Sequence, residues 1–154
     1  MKAVIQRVNF ASVEIDGAIT GKIDKGFLIL LGVGAEDDES DALLLSSKIS
    51  KLRIFTDEND KMNLSLSNVG GHALVISNFT LYANCTQGNR PDFFDSANPS
   101  LAEPLYEKFI ELLRANGIET FCGKFGADMK VSLENDGPVT IILDSKLLKN
   151  KQRG

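Results

Sequence analysis

The 154-residue chain contains no tryptophan, one histidine, two cysteines and four prolines. No apolar run approaches the roughly 18 residues that a membrane-spanning helix needs. Each shortage removes a class of function. With His72 as the lone imidazole, a multi-histidine metal site is excluded, and a histidine-based triad would have to be built around that one ring. His72 follows Gly70-Gly71 at the edge of a strand pattern, a common place for a solvated histidine. Cys85 and Cys122 lie far apart and match no metal-binding spacing, so reduced thiols in a cytosolic protein are expected, with a disulfide left open. No metal or cofactor is expected. The N-terminal MKAVIQRVNFASVEIDG alternates and forms no signal-type apolar block, so a cytoplasmic location is expected.

Cationic excess is missing too. The net charge of -4 argues against a protein that coats nucleic acid, because nonspecific binding depends on cations meeting phosphates. Two local basic clusters remain: Lys48, Lys51 and Arg53, and the tail KLLKNKQRG over residues 146–154. On charge alone these read as a solvated face and a frayed terminus.

What is present describes an ordinary globular chain. Apolar residues at 43% and charged residues at 25% fit neither a disordered nor a fibrous protein. A chain of this size buries about 68–70% of the surface its unfolded form exposes, so residues 1–145 are read as a single domain followed by the basic tail. KAVIQRVNFASVEIDG and AITGKIDKGFLILLGVG alternate as strands, with Asp16-Gly17 as a hairpin signal and GFLILLGVG as a central strand. DDESDALLLSSKISKL shifts to a helical period, with Asp37 or Asp38 as cap and Leu43, Leu44, Ile49 and Leu52 facing inward. HALVISNFTLYA is strand-patterned and runs into a long loop, NCTQGNRPDFFDSANPS, of a length that is more often functional than idle. A second helix is entered after Pro99 and closed by Asn116-Gly117, burying Leu105, Phe109, Leu112 and Leu113 despite Pro104 in its first turn. IETFCGKFGADMKVSLEN and PVTIILDS follow as strands separated by Gly137-Pro138. The expected fold class is α+β: a strongly curved, mostly antiparallel β-sheet or barrel with two outer helices.

Side-chain chemistry is sparse. GVGAEDD and GKFGAD lack the lysine and hydroxyl of a P-loop and read as turns, and the scattered acids suggest no two-carboxylate hydrolase. An enzyme built from this sequence relies on its backbone.

The segments SNFTLYANCTQGNRPDF (77–93) and NDGPVT (135–140) together resemble the two signature segments of the D-aminoacyl-tRNA deacylases, the D-tyrosyl-tRNA deacylase family. IQRV at 5–8, RIFTDENDKMNLSL and FGADMKVSLENDGPVT extend the resemblance over nearly the whole chain. It implies hydrolysis of the ester joining a D-amino acid, or glycine mischarged on tRNA, to the terminal adenosine: chiral proofreading in translation. It implies a homodimer with active sites at the subunit interface, in which a cis Gly137-Pro138 pair of one subunit enters the site of the other. Fixed carbonyls there would hold the α-amino group while the backbone leaves no room for an L side chain, so that handedness is tested by clash. From the dipeptide alone, a trans turn between two strands is the plainer reading.

The resemblance further implies catalytic roles for Ser77, Phe79 and Thr80, the Phe79 N–H helping to hold the developing oxyanion while the 2'-hydroxyl of the adenosine assists attack. Thr80 as nucleophile is disfavoured, since no histidine is evidently placed to serve it. Arg7 would hold the Gly-Pro carbonyls in register; Phe125 and Met129 would line an adenosine pocket, where otherwise they read as core. Asn78 departs from the family pattern, standing where glutamine is expected and one methylene shorter. Two rival expectations stay open: a noncatalytic tRNA-binding domain on the same fold, and an interaction domain with a solvent-facing trans Pro138.

Overall fold

A computed structural model describes residues 1–151. Strand β1 (Lys2–Ile15) turns into β2 (Ala18–Ile23) at Asp16-Gly17, whose φ angles of 51° and 80° are those of a primed hairpin turn. β3 (Gly26–Gly32) returns antiparallel along Lys2–Val8, while β2 occupies the same edge along Ala11–Ile15. The expected central strand is thus in place, buried at all but one of its positions.

Two crossovers follow. Helix α1 (Glu39–Ser50) and a small hairpin, β4 (Phe55–Thr56) with β5 (Met62–Leu64), lead to β6 (His72–Ser77), parallel to β3. A single 3-10 turn (Phe79–Tyr82), a long loop and helix α2 (Pro99–Ala115) lead to β7 (Thr120–Cys122), parallel to β6. Parallel neighbours need long connections, and the two helices supply them. Asp38 caps α1 in a reciprocal capping box with Asp41, and Asn98 caps α2 directly before Pro99. The inward face of α1 differs from expectation: Ala42, Leu45 and Ile49 are buried while Leu43 is 57% exposed. In an unbroken LLL run the period cannot say which leucine points in. On α2, Leu105, Phe109 and Leu113 are buried as expected, joined by Tyr106 and Ile110, with Leu112 half-buried.

β8 (Lys130–Asp144) closes the chain as one strand along the free edge of β1. The sheet runs β2-β1-β3-β6-β7 and curls until β2 meets β7: a Cβ on Gly21 would stand 3.1 Å from the Cys122 carbonyl oxygen. Val8, Val13, Ile23, Leu28, Leu74 and Ile76 fill the inside of this near-closed barrel, and a larger cluster around Phe27, Phe55 and Phe109 packs the helices against its outside. The α+β barrel-like expectation is met, with one helix more than anticipated.

That helix is α3 (Ser145–Lys151), which covers much of the basic tail; residues 152–154 lie outside the described residues. Lys149 pairs with Asp41 at 2.8 Å and Lys146 with Glu36 at 2.7 Å, so acids in the first turn of α1 and in the loop before it face the tail's lysines. Beneath them the Met1 ammonium sits against Asp37 Oδ1 at 2.6 Å and donates to Ser145 Oγ at 2.7 Å. Burial pushes the Asp41 carboxyl up, but Lys149, Ser145, the Asp38 N–H and the Met1 ammonium outweigh it and hold the group down to about 2.

Candidate active site

Ser77 ends β6, and beyond it the chain leaves the sheet. Asn78 is extended (φ -147°, ψ 91°), donates its N–H to the Leu31 carbonyl at 2.8 Å, and caps the 3-10 turn by accepting from the Thr80 N–H at 3.2 Å. A short amide suits this role, since the side-chain oxygen must fold back onto an N–H two residues along. Asn78 therefore does in this chain a job that the longer glutamine is poorly shaped for. The expectation that the strand continues through Phe79 and Thr80 is corrected: both lie on the turn. Gly32 lets the turn approach β3, because a Cβ there would stand 3.1 Å from both the Asn78 carbonyl oxygen and Leu81 Cβ.

Phe79 occupies the first position of the turn. A helix's first N–H groups have no internal acceptor, and the Phe79 N–H meets none among the described residues. Its ring stands edge-on to Phe93 at 5.0 Å. Thr80 Oγ1 is hydrogen-bonded to Asn78 Oδ1, and Thr80 is exposed.

Ser77, Asn78 and Phe79 line a cavity of about 550 Å³, together with Phe125 and Met129. Phe93, Pro99 and Tyr106 complete much of its wall, giving a mostly apolar hollow. Met129 reaches it by folding over Gly123, just beyond β7, where a Cβ would collide with the Met129 sulfur. Tyr106 is anchored through its hydroxyl, which donates to the Val75 carbonyl at 3.0 Å, and its ring stands 5.8 Å from Phe125. Burial, with Cys122 nearby, pushes the Tyr106 hydroxyl well above its ordinary value, so it stays a neutral donor. Thr80 does not line the cavity.

Gly137 and Pro138 belong to a second feature. Gln6 pairs with Thr140 and Val8 with Asn135, so residues 136–139 bulge out of β8 opposite Arg7, the β1 residue between those two pairs. Arg7 is buried to 8% exposure. Its Nε donates to the Asp136 carbonyl at 3.1 Å, and its Nη1 to the Ile54 carbonyl at 2.8 Å. Asn135 grips Val139 on the far side, donating to its carbonyl and accepting from its N–H, each at 3.0 Å. Within this clamp the Gly137-Pro138 peptide is cis, Gly137 takes φ +131°, and both residues are exposed. The strand interruption in the sequence is thus a bulge in one strand, with its backbone turned to solvent.

Sequence reasoning grouped these residues by resemblance, and the fold sorts them into two sets. Ser77, Asn78, Phe79, Phe125 and Met129 share the cavity; Arg7, Gly137 and Pro138 share the bulge and none of the three lines the cavity; Thr80, on the turn, belongs to neither set. Asn135, Phe93 and Tyr106 join these sets without a sequence signal of function strong enough to mark them. Asn135 stood inside the quoted NDGPVT, and its place two residues before glycine in a strand was an available signal for a side chain bonded to its own backbone. His72 lies at the other end of β6 from Ser77, with its Nε2 3.2 Å from Glu119. Cys85 and Cys122 are free thiols. Among the described residues no group of three or more His, Cys, Asp or Glu side chains is placed to hold a metal ion, and no helix is long and apolar enough to cross a membrane.

The family described as D-Tyr-tRNA(Tyr) deacylase matches residues 4–144. A D-aminoacyl-tRNA deacylase of Fervidobacterium nodosum is 57% identical over 95% of this chain and 98% of its own length; one of Fusobacterium nucleatum is 58% identical over 95% and 97%. Among solved structures, the c-Myc DNA unwinding element binding protein superposes with a TM-score of 0.87 at 40% identity, over 94% of this chain and 98% of the other. With the match spanning both the cavity and the bulge, the chain belongs to the D-Tyr-tRNA(Tyr) deacylase family, a family of enzymes.

Proposed function

We propose that the protein hydrolyses the ester joining a D-amino acid, or glycine mischarged on tRNA, to the terminal adenosine of tRNA, releasing the free amino acid and tRNA. It acts as a cytoplasmic homodimer, and each cavity is completed by the Gly137-Pro138 bulge of the partner subunit. The observation that carries this reading is the pairing of an apolar cavity lined by Phe79, whose N–H has no acceptor among the described residues, with an exposed bulge clamped by a buried arginine. Either feature alone is half a site. Family membership favours turnover over the noncatalytic tRNA-binding alternative.

In this reading Phe125 and Met129 flank the adenine, and Ser77 and Asn78 border the ribose and ester. Water adds to the ester carbonyl with assistance from the ribose 2'-hydroxyl. The negative charge that develops on the carbonyl oxygen is met by the Phe79 N–H. The bond to the ribose oxygen then breaks, that oxygen regains a proton, and the amino acid leaves as a carboxylate. Main-chain carbonyls of the bulge accept from the α-ammonium, and the adjacent backbone fills the space an L side chain would need. A D side chain points outward, so its identity matters little, and glycine has nothing to clash.

The test is a comparison of D- and L-tyrosyl-tRNA under single-turnover conditions. The D ester is expected to be cleaved at least about 100-fold faster, since a steric clash with fixed backbone is worth several kcal/mol. Equal cleavage of both, or of neither, would remove the proposal.

A further inference from the structure

The protein carries a net charge of -4, yet its proposed substrate is a polyanion. Several of its lysines are already matched: Lys108, Lys130, Lys146 and Lys149 each face a carboxylate. Lys48 and Lys51 have no ion-pair partner among the described residues. With Arg53 they line one shallow concavity of about 450 Å³ at the end of α1, alongside Leu44, Ser47 and Leu52 and without an acidic residue. All three cations are exposed, and Arg53 is held in place through its Nε, which donates to the Asn63 carbonyl at 2.9 Å. Cations near a helix C-terminus complement its dipole, which accounts for Lys48 and Lys51 but not for Arg53, beyond the helix end.

The concavity is tied to the Gly137-Pro138 bulge. Arg53 is one residue, about 3.8 Å of chain, from Ile54, whose carbonyl accepts from Arg7 Nη1 at 2.8 Å. The same guanidinium holds Asp136 through Nε at 3.1 Å. Patch and bulge are thus linked within one subunit through a single buried guanidinium. The ester of an aminoacyl-tRNA is one ribose away from the first backbone phosphate.

We propose that Lys48, Lys51 and Arg53 form a phosphate-binding face that holds the acceptor end of the tRNA while its ester occupies the partner subunit's cavity. This placement rests on the dimeric reading above. Each subunit then contributes the handedness filter and the RNA grip together, and its partner contributes the cavity.

The experiment uses the full chain with Lys48→Glu and Lys51→Glu combined, leaving Arg53 and its bond to Asn63 intact. Hydrolysis is measured with D-tyrosyl-tRNA and with the D-tyrosyl ester of adenosine alone, across a salt series. With the tRNA, KM should rise at least about tenfold, and the dependence of log(kcat/KM) on log salt should flatten by about 1.4 to 1.8, as expected for two lost phosphate contacts. The adenosine ester should be cleaved as by the unaltered protein. An unchanged KM and salt slope for tRNA would overturn the proposal, as would an equal loss on both substrates. Sedimentation separates the two ideas: an active monomer removes the dimeric reading and with it the placement at the partner's cavity, whereas a dimer with an unchanged salt slope removes the phosphate face alone.

Discussion

Phe79→Pro is expected to lower kcat for D-tyrosyl-tRNA about 100- to 1000-fold relative to Phe79→Ala, the range reported for deleting one oxyanion donor. The comparison isolates a single hydrogen. Both variants lose the ring and its edge-on contact with Phe93, but only proline also loses the backbone N–H. Proline is sterically allowed there. Its ring fixes φ near -65°, which suits the first residue of a helical turn. It also requires an extended residue before it, and Asn78 is extended already at φ -147°, ψ 91°. The Thr80 N–H that Asn78 caps is untouched. Two thermal melts that coincide, with kcat far apart, would establish the N–H as the donor. Equal kcat in the two variants would mean that the oxyanion is held elsewhere.

Gly137→Ala is expected to reduce deacylation about 100-fold, through misplacement on the scale of an ångström, while the chain still folds. At φ +131° an alanine is strained, at a cost of about 1–3 kcal/mol. The new Cβ would also stand 2.7 Å from Val139 Cγ2, and 3.1 Å from both Arg7 Nη2 and the Val139 nitrogen. None of these neighbours can yield freely: the arginine is pinned by Ile54 and Asp136, and the Val139 backbone by Asn135. Relief must come from the exposed carbonyls of the bulge, the groups proposed to hold the α-ammonium. Urea denaturation would register a modest loss of stability, and kinetics a far larger loss of activity. Undiminished turnover with intact D over L preference would show that the bulge backbone plays no part.

The barrel's framework was legible because local signals and tertiary demands agree along it. Asp16-Gly17 forms the hairpin that its turn propensity predicts, and GFLILLGVG is the buried strand that its apolar run predicts. Where a residue's neighbours come from distant sequence, pattern alone fell short. Leu43 and Leu45 are alike in sequence, and their opposite fates are set by how α1 lies on the sheet. The extra residues of β8 read as a break between two strands, since only β1 across the sheet reveals that both halves share one partner. Arg7 alternates like any strand residue; its burial follows from facing a bulge formed by residues far along the chain. The turn at Phe79 was hidden by the β-pattern of FTLY, while Asn78, its cap, was in view as a puzzling substitution. The tail's ordering depends on acids at positions 36 and 41 that no local window connects with it.

The central claim is that one subunit's bulge completes the other's cavity, and mixing Phe79→Pro with Gly137→Ala chains tests it most directly. Each variant alone is defective. In a mixed dimer, the intact cavity of the Gly137→Ala chain would meet the intact bulge of the Phe79→Pro chain. After denaturation and refolding of an equal mixture, activity on D-tyrosyl-tRNA should recover to about a quarter of the unaltered level, because half of the dimers are mixed and each has one whole site. A mixture no more active than the average of its two components would contradict the account.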